Sequence, residues 1–179
     1  MRLLWWAFAA IAVVVIVVAM VGALLPHDHV VSRTILLAAS PDRVRDLIVD
    51  VQRYPSWRSG ITRVVTQLPP LSEGPRIRWR EFSREESLGF AMDASQPRQL
   101  VTRIADEALS FGGSWIFDLA PADEGTSLTI TEHGEVHNPI FRFVSRFLMG
   151  HTKSIDRYAA DLALKLNTPR SVNAPVPGS

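Results

Sequence analysis

From Leu3 to Leu25 the chain runs LLWWAFAAIAVVVIVVAMVGALL, with no charged or strongly polar side chain. As a helix rising about 1.5 Å per residue it spans about 34 Å, enough to cross a hydrocarbon core about 30 Å thick with slight tilt. Trp5 and Trp6 stand at one end, where amphipathic rings favour the interface, and Pro26 ends the run. The competing expectation is a cleaved signal peptide, because Val21-Gly22-Ala23 resembles a small-residue cleavage site. The run is longer than the ~7–15 apolar residues of a signal core, so residues 1–26 are read as an uncleaved single-pass anchor.

Beyond Pro26 the pattern changes to period two. Val30, Ser32, Thr34 and Leu36 alternate with Val31, Arg33, Ile35 and Leu37, which predicts a strand over Val30–Ala38. In SPDRVRDLIVDV, Ser40 suits a helix cap, Pro41 the first helical position and Asp42 the positive end of the helix dipole. Val44, Leu47, Ile48 and Val51 follow at helical spacing, and Pro55 and Gly60 close that helix. Six further strands are predicted as a meander: Ile61–Leu68, Arg76–Ser83, Glu86–Ala94, Gln99–Ala105, Ser114–Pro121 and Thr126–Val136. DEALSFGG is read as a connection and ADEG as a hairpin turn.

Period 3.6 returns from Pro139 to Leu166, with Asn138 as cap. Ile140, Val144, Phe147, Leu148, Ile155, Tyr158, Ala159, Leu162 and Leu166 fall on one arc, and Arg142, Arg146, Lys153, Arg157, Asp161 and Lys165 fall opposite. Such a stripe is wide enough to bury against a sheet. Residues 168–179, rich in Pro and small polar residues, read as a disordered tail, which leaves residues 27–167 as one domain.

Composition narrows the chemistry. The 179 residues contain no cysteine, which excludes disulfides, thiolate metal sites and a cysteine nucleophile. A net charge of +1 gives no basic footprint for nucleic acid. His133 and His137 lie about 13 Å apart on a strand at about 3.3 Å per residue, too far to share one zinc, and His27 and His29 bring no further ligand. No metal or cofactor is expected. Arg2 and the free amino terminus favour a cytoplasmic N-terminus. Arg33, Arg43 and Arg45 oppose it but belong to the folded domain, where charges count for less. An extracytoplasmic domain is therefore expected.

The order strand, short helices, six strands, long final helix, together with SPDRVRDLIVDVQRYPSWRSG and NPIFRF…YAADLALKL, resembles the START / polyketide cyclase (SRPBCC) superfamily over Val30–Leu166. The resemblance implies an α+β helix-grip fold. A curved seven-stranded antiparallel sheet wraps around a long C-terminal helix, here preceded by one transmembrane helix. It also implies a hydrophobic cavity between sheet and helix that takes lipids, isoprenoids or polyketide-like molecules. A binding or transfer protein is thus expected before an enzyme. The alternative is a cyclase or dehydratase acting on a polyketide-like substrate.

Parity on the strands supplies the candidate site. Leu128 and Ile130 face inward, so Glu132 does too. It is read as a pocket carboxylate, a hydrogen-bond acceptor or general acid–base, against an acid at the strand's rim. His151 on the helix stripe is the candidate partner that approaches it, against a satisfied core histidine. Trp79 and Glu81, and likewise Trp115 and Phe117, are inward by the same rule, and Phe147 faces them from the helix. Trp57 in YPSW plugs the turn or, by the resemblance, rims the cavity mouth with Tyr54. The expected ligand-binding set is Trp57, Trp79, Glu81, Trp115, Phe117, Ile130, Glu132, Phe147 and His151. Glu132 and His151 are the candidates for catalysis.

Overall fold

The structure is a computed structural model that describes residues 2–67, 76–84, 86–106, 109–144, 153–166 and 171–172. The apolar run forms helix α1, Arg2–Leu24. The sheet begins with β1, Asp28–Leu37. Next comes α2, Pro41–Val49, where Ser40 Oγ accepts from the Arg43 amide at 3.4 Å, and then a 3-10 turn, Val51–Ser56. The meander follows as β2 Arg63–Gln67, β3 Arg76–Phe82, β4 Ser87–Asp93, β5 Gln99–Ile104, β6 Phe111–Ala122 and β7 Gly125–Val136. Helical segments α3, Pro139–Val144, and α4, Lys153–Lys165, complete the domain.

The strand order is β2-β3-β4-β5-β6-β7-β1, every neighbour antiparallel. This is the seven-stranded antiparallel sheet that the resemblance implies, with the number of strands read along the sequence. An eighth strand of two residues, β8, Ser171–Val172, pairs with Thr34 and Ile35 at the β1 edge, within the stretch read as tail. β6 also starts three residues earlier than the sequence reading placed it. Phe111, Gly112 and Gly113 pair with Val136, Glu135 and Gly134, although two successive glycines read as a turn.

The inner face of the sheet carries one apolar core. Leu37, Met92, Leu100, Leu128 and Ile130 are buried together with Val44 and Ile48 of α2 and Ile155 and Leu162 of α4. The outer face is polar, with hydroxyl pairs Ser32–Thr131 at 3.1 Å and Thr34–Thr129 at 2.9 Å. α4 also contacts β1, where Arg33 donates to Asp156 at 3.1 Å. Residues 145–152, the middle of the long predicted helix, lie outside the described residues.

One expectation is corrected at the start of that helix. The helical periodicity places Arg142 on the solvent arc, yet it is 6% exposed, while Ile140 and Phe141 are 42% and 41% exposed. The reason is a neighbour the helical wheel did not contain. α3 packs against the last turn of α1, so closely that a Cβ on Gly22 would overlap the Pro139 carbonyl. Arg142 turns into that junction and donates to Leu25 O at 3.0 Å and His137 O at 3.3 Å. A cation is favourable beside the carbonyls at a helix C-terminus.

Candidate functional site

Because the sheet is an antiparallel meander, one rim collects the start of β1, β6, β4 and β2 and the end of β7, β5 and β3. The half of the inner face nearest that rim encloses a cavity of about 560 Å³. Trp79, Phe90, Phe111, Trp115 and Phe117 from the strands and Tyr158 from α4 line it. Trp115 meets Tyr158 edge-on with centroids 5.5 Å apart, and Trp79 stacks on Phe90 at 5.5 Å. Glycines at positions 112, 113 and 134 leave part of the wall bare. Gly113 has φ +147°, and a Cβ there would collide with the His133 carbonyl, so the backbone itself forms the surface.

Two polar groups interrupt this apolar wall. The first is built on Glu81, 6% exposed. Its Oε1 accepts from Arg58 Nη1 at 2.5 Å and from Trp79 Nε1 at 2.9 Å. The Arg58 guanidinium also lies over the rings of Tyr54 and Tyr158, at 4.8 and 5.0 Å. A buried carboxylate is tolerable only with such pairing. Burial pushes both phenols well above their usual range; for Tyr158 the Arg58 cation pulls the other way, and for Tyr54 the Tyr158 phenol adds to the rise. Both therefore remain neutral. Tyr54 donates to Ile48 O at 2.6 Å. The Tyr158 hydroxyl, close to that of Tyr54, makes no hydrogen bond of ordinary geometry among the described residues.

The second group is Glu132, paired across the ladder with Val31 and Trp115. Its Oε2 accepts from Ser154 Oγ at 3.1 Å, and its Oε1 lies 3.7 Å from His29 Nε2. The His29 ring covers Gly134, where any Cβ would strike it. Burial lowers the His29 pKa from its ordinary value, with Asp28 opposing, so the ring is neutral at physiological pH. A neutral imidazole beside a carboxylate can bind or move a proton. Among the described residues, no three His, Asp or Glu side chains converge as metal ligands do.

Of the residues singled out from the sequence, Trp79, Glu81, Trp115, Phe117 and Glu132 line this cavity. Trp57 and Ile130 do not. Trp57 packs edge-on behind Tyr54 and Tyr158, at 5.3 and 5.5 Å, and Ile130 is fully buried in the core. Phe147 and His151 lie outside the described residues. The histidine found beside Glu132 is His29. It shares parity with Val31, Ile35 and Leu37, so starting β1 two residues earlier would have placed it inward. Arg58 carried no periodic signal, because it follows the 3-10 turn.

The family described as polyketide cyclase / dehydrase and lipid transport matches residues 28–163. The chain belongs to that family. Among solved structures, a START superfamily protein from Mycobacterium smegmatis is similar at 19% identity and TM-score 0.57, covering 78% of this chain and 97% of that one. The aromatase/cyclase Zhui from Streptomyces sp. R1128 follows at 13% identity and TM-score 0.60, covering 79% and 94%. Norcoclaurine synthase from Thalictrum flavum is similar at 11% identity and TM-score 0.60, covering 79% and 96%. At these identities the likeness carries the fold alone. No curated protein matches the chain in sequence.

Proposed function

We propose that this protein is a membrane-anchored binding or transfer module for a hydrophobic small molecule, a lipid, isoprenoid or polyketide-like compound held between sheet and α4. The observation that carries this reading is the aromatic cavity of about 560 Å³, within the roughly 300–1,000 Å³ of ordinary small-molecule sites. Apolar walls with a few placed polar groups are what such sites present. Arg58, its charge balanced by Glu81, offers a donor to an oxygen on an otherwise apolar ligand. α1 serves as the anchor, with Leu4–Leu24 long and apolar enough to cross a bilayer. Arg33 and Arg45 are engaged inside the domain, with Asp156 and with Ala94 O, which favours an extracytoplasmic domain.

Native mass spectrometry of the full chain extracted in mild detergent tests the reading. An apolar molecule should be released at stoichiometric amount. A preparation that carries none, and that also leaves the fluorescence of an added pyrene-labelled fatty acid unchanged, would refute it. The His29–Glu132–Ser154 group supports a second reading, a cyclase or dehydratase that moves a proton on a polyketide-like substrate. That reading requires Glu132→Gln to abolish turnover while substrate affinity stays largely intact.

A further inference from the structure

Three observations locate the cavity relative to α1. The rim that encloses it is the one from which β1 leaves α1 and into which β7 delivers α3. α3 lies against the final turn of α1, its Pro139 backbone in contact with Gly22, and Arg142 ties α3 to Leu25 O at 3.0 Å. Phe141 of α3 lines the cavity and stacks on Phe111, also in the wall, with centroids 6.1 Å apart and planes 10° from parallel. Gly22 lies within the stretch long enough to span the bilayer. Anything packed beside it lies at the depth of the membrane interface.

We propose that the cavity's rim docks on the bilayer through α3, with Ile140 and Phe141 seated in the interface and the Phe111–Phe141 pair forming the lip between lipid and cavity. This rests on reading α1 as a retained anchor and the domain as a binder of apolar molecules. The occupant of this exposed apolar edge is the phospholipid surface, because the contact between α1 and α3 leaves the edge facing the membrane from which α1 emerges. Aromatic and aliphatic side chains are favoured at that depth. The buried Arg142 keeps its charge on backbone carbonyls at the junction. An apolar ligand then passes from the acyl layer to the cavity without crossing bulk water.

The chain has no cysteine, so single-cysteine variants carry a probe at one place only. Full-length protein is reconstituted in phosphatidylcholine vesicles, with α1 verified by intact mass. A nitrobenzoxadiazole label is attached at Ile140→Cys, at Leu24→Cys, or at Ser95→Cys, which lies in the β4–β5 turn at the opposite end of the sheet. Lipids spin-labelled near the glycerol should quench the Ile140 label as strongly as the Leu24 label and leave the Ser95 label unaffected. An Ile140 label quenched no more than the Ser95 label would overturn the docking. The second arm uses Ile140→Asp, a position outside the cavity wall. Loading of a pyrene-labelled fatty acid from vesicles should slow about tenfold, which is ~1.4 kcal/mol in the barrier, while its affinity in detergent micelles stays unchanged. Loading at the unmodified rate would also overturn the proposal. If the unaltered protein binds no probe in micelles but the Ile140 label is quenched, the docking stands and the carrier reading falls.

Discussion

At the end of the sheet far from α1, Leu37, Met92, Leu100 and Leu128 are at most 1% exposed, beneath Val44 and Ile48 of α2. At the near end the same strands present Phe90, Trp115, Glu132 and three glycines to a cavity. The difference has a structural cause. α2 contacts β6 and β7 and covers the far half, so aliphatic side chains can interdigitate to interior density there. Over the near half, the described part of α4 adds only Ser154, Arg157 and Tyr158 to the wall. Glycines on the sheet leave space that no described residue opposite fills. Hollowness is thus distributed along strands, residue by residue, on one continuous face.

Paired truncations test this contrast most severely. Leu128→Ala in the closed half should cost about 4 kcal/mol, the usual range for a fully buried leucine that leaves a void. Trp115→Ala removes a larger side chain but should cost less than half as much, because one side of its ring already borders empty space. Urea unfolding of the detergent-solubilised chain measures both. Equal costs would mean that the near half is packed as tightly as the far half, and the cavity reading would fall with it.

The near half contains a buried ion pair, Arg58–Glu81, and that sets the next effect in size. Glu81→Gln keeps an acceptor for Trp79 but leaves the Arg58 charge poorly compensated, at a cost of about 3 kcal/mol. The double change Glu81→Leu with Arg58→Leu should recover most of that loss. If Glu81→Gln is neutral, the pair is solvated and the near half is open to water at this position.

The contrast also shows which features the sequence could disclose. Strand-like runs bounded by turn signals located all seven strands, and Ser40, Pro41 and Asp42 marked α2, because those signals are local. Inward parity placed Glu81 and Glu132 on the cavity side for the same reason. Their partners were illegible. Arg58 reaches Glu81 across a loop, and His29 reaches Glu132 only because β1 and β7 are neighbours. The burial of Arg142 depends on α1 lying beside α3, which no wheel drawn on one helix contains. Phe111–Gly113 reads as a turn because two glycines signal one by propensity, whereas Gly113 lets the strand pass close to the His133 carbonyl.

A pH titration separates the halves further, with a smaller amplitude. Burial lowers the His29 pKa, so its contribution to stability is fully present above the unfolded value of about 6.5 and is lost as pH falls towards the folded value. Asp106, held below its ordinary pKa by Arg80 and the Gly89 amide, contributes above the unfolded value of about 3.9. Its share disappears as pH falls further. Both groups lie near the α1-side rim. Hydrogen exchange, corrected for the intrinsic rate, should therefore lose protection there as pH falls below the unfolded His29 value of about 6.5, while amides around Leu100 and Leu128 hold. His29→Gln should abolish the first loss and leave the Asp106 loss in place. Uniform loss across the sheet would show that the two halves open together.

The smallest effect concerns the second polar group. Ser154→Ala deletes one exposed donor to Glu132 and should cost no more than about 1 kcal/mol. Its consequence for titration is more informative. Removing the Ser154 donor lets the carboxylate shift towards His29 across the 3.7 Å separation, and a nearer anion favours the protonated ring. The His29 pKa, followed by NMR of its ring protons, should then rise towards its ordinary value, and the acid-induced loss of protection at the near end should shrink with it. An unchanged His29 titration would mean that Glu132 is positioned by the sheet alone, which would leave α4 able to move without disturbing the histidine–carboxylate pair at the cavity wall.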